Sequence, residues 1–185
     1  MFIQTEQTPN PATLKFLPGQ TVLESGTADF TSPADAAARS LLAESLFGVT
    51  GVAAVFFGYD FITITKNVDH DWYVMKPSLL SVITEYFTVG TQVMNESAPQ
   101  TIADNGEGDD EVVTKIKELL ETRVRPMVAQ DGGDITFHDF DQGVVYLEMR
   151  GACAGCPSST ATLKMGIENM LRHYIPEVVE VRPAN

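Results

Sequence analysis

Cys153 and Cys156, in the stretch G-A-C-A-G-C-P-S-S from residue 151 to residue 159, are the only cysteines among 185 residues. A C-x-x-C pair with an apolar strand pattern behind it and a helical pattern ahead supports three chemistries: part of a zinc site, a redox dithiol, or part of the thiolate set of an iron-sulfur cluster. Pro157 suits the first helical position, which predicts Cys156 at the N-cap. The unpaired amides of the first turn and the positive end of the helix dipole favour thiolate over thiol, so lowered pKa values are expected at both cysteines. Gly151, Ala152, Ala154 and Gly155 carry almost no side chain, which leaves backbone amides free to approach cluster sulfurs.

The remaining candidates to close a zinc site are His138, His173 and carboxylates. His173 lies near the far end of the helix that follows Cys156, about 25 Å away at 1.5 Å per residue, so it cannot share a metal with the cysteines. His138 reads as a strand surface residue. A thioredoxin-like site would place the pair near the first strand of a βαβ pattern, whereas this pair is late in the chain with Ala154-Gly155 between the cysteines. Iron-sulfur clusters take four thiolates, and one chain supplies two. Two chains supply four, and a twofold-symmetric homodimer with facing C-x-x-C loops completes the set. The dithiol or persulfide oxidoreductase remains the alternative, and stable electron transfer is a third reading.

The chain holds 12 basic against 25 acidic residues, a formal charge of −13, which repels phosphate backbones and anionic membranes. No nucleic acid and no membrane are expected as partners, and no apolar run reaches the roughly 18 residues of a span. A hydrophobic fraction of 44% is enough for a buried core without staples. The start, M-F-I-Q-T-E, lacks a basic region before an apolar stretch, and two closely spaced cysteines suit a reducing compartment. The expected location is the bacterial cytoplasm, with the mitochondrial matrix, as a processed chain, the alternative.

The elements that must hold the cysteines fall in the last third. Residues 91–110 carry five acidic and no basic residues, and N-E-S-A-P-Q-T-I-A-D-N-G-E-G-D-D (Asn95 to Asp110) reads as a flexible acidic linker. It separates a domain at 1–90 from one at 111–185, so the fold class is α+β, two small α+β domains. In the first, F-I-Q-T-E and A-T-L-K-F-L-P predict strands around Pro9-Asn10-Pro11. Ser32 and Pro33 open one helix carrying Ala36, Ala37, Ser40, Leu41, Leu42 and Leu46. V-A-A-V-F-F and F-I-T-I-T-K predict strands around Gly58-Tyr59-Asp60, and Leu79, Leu80, Ile83 and Phe87 mark a second helix. Phe56, Phe57, Phe61, Trp72, Tyr73, Tyr86 and Phe87 read mostly as core or core margin. His70, between two aspartates, reads as an exposed loop residue.

In the second domain, Asp110 opens a helix with Val112, Val113, Ile116, Leu119, Leu120 and Val124 on one face, bent at Pro126 and stopped by Gly132-Gly133. Ile135 to Phe140 and Val144 to Met149 predict a hairpin with Val145, Leu147 and Met149 inward. A helix from Pro157 carries Leu163, Ile167, Met170, Leu171 and Tyr174, and Val178 to Val181 forms a last strand.

R-P-M-V-A-Q-D-G-G-D-I (Arg125 to Ile135) followed by G-A-C-A-G-C-P-S-S-T (Gly151 to Thr160) resembles the NifU C-terminal domain of Nfu-type iron-sulfur proteins, over residues 111 to about 183. The start, M-F-I-Q-T-E-Q-T-P-N-P-A-T-L-K-F-L-P-G, resembles the N-terminal domain of the same proteins. The resemblance implies a non-enzymatic scaffold or carrier. It would bind a labile 4Fe-4S cluster, with a 2Fe-2S form left open, between the C-x-x-C motifs of two subunits. It would receive the cluster from upstream assembly proteins and deliver it to apo-proteins. Cys153 and Cys156 match the family's cluster ligands. Asp131 to Asp134 (D-G-G-D) also match, and no chemistry requires those carboxylates as ligands; the two glycines are expected to serve a tight turn. The N-terminal domain lacks cysteine, which leaves it client or partner recognition.

Overall fold

The computed structural model describes residues 2–95, 110–155 and 157–184. The chain divides into two compact units, Met1–Ile102 and Ala103–Asn185, each built on its own sheet. Most of the expected linker, 96–109, lies outside the described residues.

In the first unit, β1 (Gln4–Gln7), β2 (Thr13–Leu17), β3 (Ala28–Phe30), β4 (Val52–Phe57) and β5 (Ile62–Lys66) form an antiparallel sheet in the order β1-β2-β5-β4-β3. The β1–β2 turn is locked by its own side chains. Thr8 Oγ1 donates to the Asn10 carbonyl at 2.8 Å, and Asn10 Oδ1 accepts from the Ala12 amide at 3.0 Å. The register puts Leu14, Phe16, Val55, Phe57, Ile62 and Ile64 on one face, where they share a core with Leu42, Leu46, Leu79 and Ile83. Each such side chain contributes about 1.5–3 kcal/mol of burial, before the entropy of ordering it.

The single helix expected from Pro33 is two helices. α1 (Pro33–Arg39) and α2 (Leu41–Phe47) meet at Ser40, whose extended backbone (φ −156°, ψ 118°) ends one and caps the other. Its hydroxyl accepts from the Ala43 amide at 3.2 Å and donates to the Val93 carbonyl at 2.5 Å. That second bond ties down the chain beyond α3 (Trp72–Val89), where Val93 and Met94 are buried and the Asn95 amide donates to the Arg39 carbonyl. Residues 91–95, assigned to the linker by composition, therefore pack on the first unit.

Among the aromatic residues Phe56, Phe57 and Phe61 are buried, Trp72, Tyr86 and Phe87 half-buried, and Tyr73 exposed. His70 departs from expectation: it is half-buried, with its ring over Gly51 where a Cβ would stand 2.5 Å from it.

The second unit begins with α4 (Glu111–Leu119), continues through a π-helical turn (Leu120–Val124) and ends in α5 (Arg125–Gln130). Asp110 precedes α4 without a side-chain cap bond. The π turn answers Pro126, which has no amide hydrogen to give: the Arg125 amide reaches back five residues to the Leu120 carbonyl, and the helix restarts at the proline. β6 (Gly133–Asp141) and β7 (Val144–Gly151) pair antiparallel, with a bulge that leaves His138 unpaired and exposed.

After α6 (Pro157–Tyr174), β8 (Glu180–Pro183) pairs parallel to β7, giving the order β6-β7-β8. The last strand thus starts two residues later than Val178, although Val178 and Val181 are both buried. Ile135, Val145, Leu147 and Val181 share a core with Ile116, Leu120, Val124, Val128, Ile167 and Leu171. Tyr174, expected on that apolar face, is exposed and receives the Arg123 guanidinium over its ring at 5.2 Å.

Candidate functional site

The hairpin β6–β7 delivers its open end to the cysteine loop. Gly133 pairs with Gly151 in the last rung, and the chain then turns through Ala152, Cys153, Ala154 and Gly155 into α6. Gly151 (φ +61°) and Gly155 (φ +78°) adopt left-handed backbone that favours glycine at both ends of this loop. Backbone bonds shape it, among them Ala152 N to Gly132 O at 3.1 Å, Cys153 N to Arg150 O at 3.3 Å, and Ala154 N to Gly151 O at 3.1 Å. Thr160 Oγ1, in the first turn of α6, donates to the Cys153 carbonyl at 3.3 Å.

Cys153 is a free thiol, 5% exposed and part of the apolar core of the unit. Its sulfur occupies the space that a side chain on Gly133 would fill. A Cβ there would collide with Sγ and stand 2.9 Å from both the Cys153 amide nitrogen and the Arg150 carbonyl oxygen. The D-G-G-D glycines consequently divide the labour. Gly132 makes the turn expected of it, with φ +81°, while Gly133 provides a notch for the cysteine, a role the sequence reading missed. Nothing in its one-dimensional pattern distinguishes the two.

The expectation of a lowered pKa is corrected for Cys153. Burial pushes the thiol up to about 12, with the negative charges of Asp131 and Asp134 adding to the effect. The physical reason is position: Cys153 lies in the turn before α6, inside the core, rather than at the helix N-terminus. Pro157 opens α6 as expected, but Cys156 itself lies outside the described residues.

Asp134, 3% exposed, is held by a two-pronged ion pair: Arg125 Nε to Oδ1 at 2.8 Å and Nη2 to Oδ2 at 3.0 Å. Oδ1 also accepts from the Ile135 amide at 2.9 Å, and Arg125 Nη1 reaches Glu121 at 2.6 and 2.8 Å. These carboxylates raise the Arg125 pKa further above its ordinary value, Asp134 foremost. Among the described residues no three His, Cys, Asp or Glu side chains gather to hold a metal ion. His138 projects at the bulge, and His173 packs edge-on to Tyr174 with ring centroids 5.0 Å apart. No described helix is long and apolar enough to cross a membrane.

The family model for a NifU-like domain matches residues 116–182, and that for the scaffold protein Nfu/NifU N terminal matches residues 3–90. The chain is 54% identical over 179 residues to the human NFU1 iron-sulfur cluster scaffold homolog, mitochondrial, covering 96% of this chain and 70% of that protein. It is 53% identical over 182 residues to the protein of the same name from Drosophila ananassae, spanning 98% of this chain and 63% of the relative's length. A solution structure of a NifU-like protein from Saccharomyces cerevisiae is 27% identical, with a TM-score of 0.48, over 52% of this chain and 87% of that one.

These names overturn the expected bacterial cytoplasm, because the human and Drosophila relatives, matched over 96% and 98% of this chain, are named as mitochondrial proteins. With both family models in chain order and a human relative matched over 70% of its length, this chain belongs to the Nfu family of iron-sulfur cluster scaffolds.

Proposed function

We propose that two copies of this chain bind one 4Fe-4S cluster through Cys153 and Cys156 of each, and pass it to apo-proteins that receive iron-sulfur clusters. The observation that carries the reading is the cradle of Cys153: a cysteine loop free of bulky side chains, backed by a glycine notch, in a family of cluster scaffolds. Four thiolates complete the cluster's ligand set, and one chain offers two. The mitochondrion, where the named relatives reside, is the compartment that goes with this reading.

Transfer follows from ligand exchange. A client cysteine forms a new iron–sulfur bond as the bond from iron to Cys153 or Cys156 breaks, and the client thiol's proton ends on the departing sulfur. The raised proton affinity of Cys153 suits the departing role, since metal must compete with that proton for the sulfur. The same property opposes Cys153 as an attacking thiolate, which weakens the dithiol oxidoreductase alternative. The first unit, with no cysteine, is assigned recognition of clients or of upstream assembly proteins.

The test is reconstitution without air, using ferrous iron and sulfide. Absorbance near roughly 400 nm, about two irons per chain and the native mass of a dimer are expected, all lost in Cys153→Ser and in Cys156→Ser. A colourless monomer that reduces disulfides would instead establish the oxidoreductase.

A further inference from the structure

The notch that receives Cys153 is built at the weakest point of the hairpin. Gly133 faces Gly151 in the terminal rung, so neither residue has a side chain to pack, and both have the backbone freedom of glycine. Hairpin ends fray unless something outside the ladder holds them. Asp134 is the first residue of β6 with a side chain, and Arg125 grips it from α5 with two charge-assisted bonds at 2.8 and 3.0 Å. Arg125 is itself braced by Glu121 from the π turn. Across the ladder, Arg150 pairs with Asp134, and its carbonyl accepts the amide of Cys153. A continuous chain of contacts therefore runs from Glu121 through Arg125, Asp134 and Gly133 to the cysteine sulfur.

We propose that Arg125 and Asp134 are positioning residues for Cys153: their part-buried fork pins the start of β6 so that Gly133 holds the thiol at one place and in one orientation. The proposal rests on the reading of Cys153 as a cluster ligand. The fork sets the position of the thiol through the backbone at Gly133, apart from the push that the Asp134 charge gives its pKa. It also explains the buried aspartate at the second position of the strand, a costly residue to bury unless its charge is matched.

The experiment measures iodoacetamide labelling of the full, metal-free chain in a Cys156→Ser background, where Cys153 alone reports. Arg125→Met is expected to label at least about tenfold faster than the parent, because the end of the hairpin opens locally. Arg125→Lys, which restores the charge without the fork, should fall between them. Ile116→Val, a core change on α4, serves as the control for general destabilisation. Unchanged labelling in Arg125→Met, or equal acceleration in Ile116→Val at matched Tm, overturns the proposal. Should Arg125→Met fail to fold, Arg125→Gln removes the two-pronged grip while keeping a polar head and leaving the Asp134 charge in place, and is read by the same two criteria.

A second readout uses both native cysteines with ferrous iron and sulfide: Arg125→Met should lose its absorbance to chelator several-fold faster than wild type, and Arg125→Lys should recover part of the difference. Failure of wild type to take up any cluster would defeat the proposed function, while the labelling comparison would still decide the role of the fork.

Discussion

The sulfur of Cys153 occupies the place where a β-carbon of Gly133 would stand. Because the other close neighbours of that point are backbone atoms, the Arg150 carbonyl oxygen and the Cys153 amide nitrogen at 2.9 Å, no side-chain rotation can make room. Gly133→Ala should therefore cost the second unit about 1–3 kcal/mol, as overpacking does, and displace Cys153. Gly155→Ala is the contrast: nothing lies within 4 Å of its absent Cβ, and its cost is only that of the left-handed backbone at φ +78°, about 1–2 kcal/mol. Thermal unfolding with cluster loading separates the two. Equal loading of the Gly133→Ala and wild-type proteins would refute the notch.

Cys153 also makes the metal-free protein sensitive to high pH. Its thiol sits near 9 when unperturbed and is pushed up to about 12 in the fold, by burial first and then by Asp131 and Asp134. A raised folded-state pKa leaves the stabilising effect whole below the unfolded value. It is lost as pH climbs from about 9 towards 12, at up to about 1.4 kcal/mol per pH unit. Denaturant unfolding between about pH 8 and 11 should show this slope in wild type and a shallower one in Cys153→Ala. Identical slopes would mean that the thiolate is tolerated in place.

The chemistry at Cys153 was only half legible in the sequence. The C-x-x-C pair, the small residues around it and Pro157 at the helix start all follow from composition and spacing. A helix dipole favours the thiolate only for a cysteine that sits at the helix terminus. Cys153 lies ahead of it in a turn that the hairpin draws into the core, and the contact responsible joins residues 133 and 153 across a ladder. Periodicity cannot encode such a contact. The same limit hid the break at Ser40, because Ala36, Ala37, Leu41, Leu42 and Leu46 keep helical spacing across it. The bond that accompanies the break reaches a carbonyl 53 residues away. β3, three residues long, offered too little alternation to be seen.

Ser40 yields the third prediction. Fully buried, it caps α2 and satisfies the Val93 carbonyl, so Ser40→Ala removes a cap and leaves a buried acceptor unpaired, at about 1–3 kcal/mol. The loss should be local at first. In hydrogen exchange, the Asn95 amide, bonded to the Arg39 carbonyl at 2.9 Å, should lose protection before the β4–β5 ladder does. Uniform loss across the unit would show that Ser40 supports the whole core rather than the docking of residues 91–95.

Cluster removal tests how the proposed dimer is held. If thiolate–iron bonds join the two copies, a chelator that strips the cluster returns the protein to the mass of one chain, 20.2 kDa. Protons compete with iron for a sulfur whose pKa burial has raised, so acid should speed the loss. Absorbance near roughly 400 nm should fall faster at about pH 6 than at about pH 8, by up to about tenfold per unit where one protonation limits release. Cys156→Ser should load no cluster to strip, which checks that the signal belongs to the proposed four-thiolate site. A cluster that resists chelator at every pH and cycles reversibly between oxidation states would fit stable electron transfer instead. In that case the burial of Cys153 would protect a resident cluster, with the notch at Gly133 holding its ligand in place.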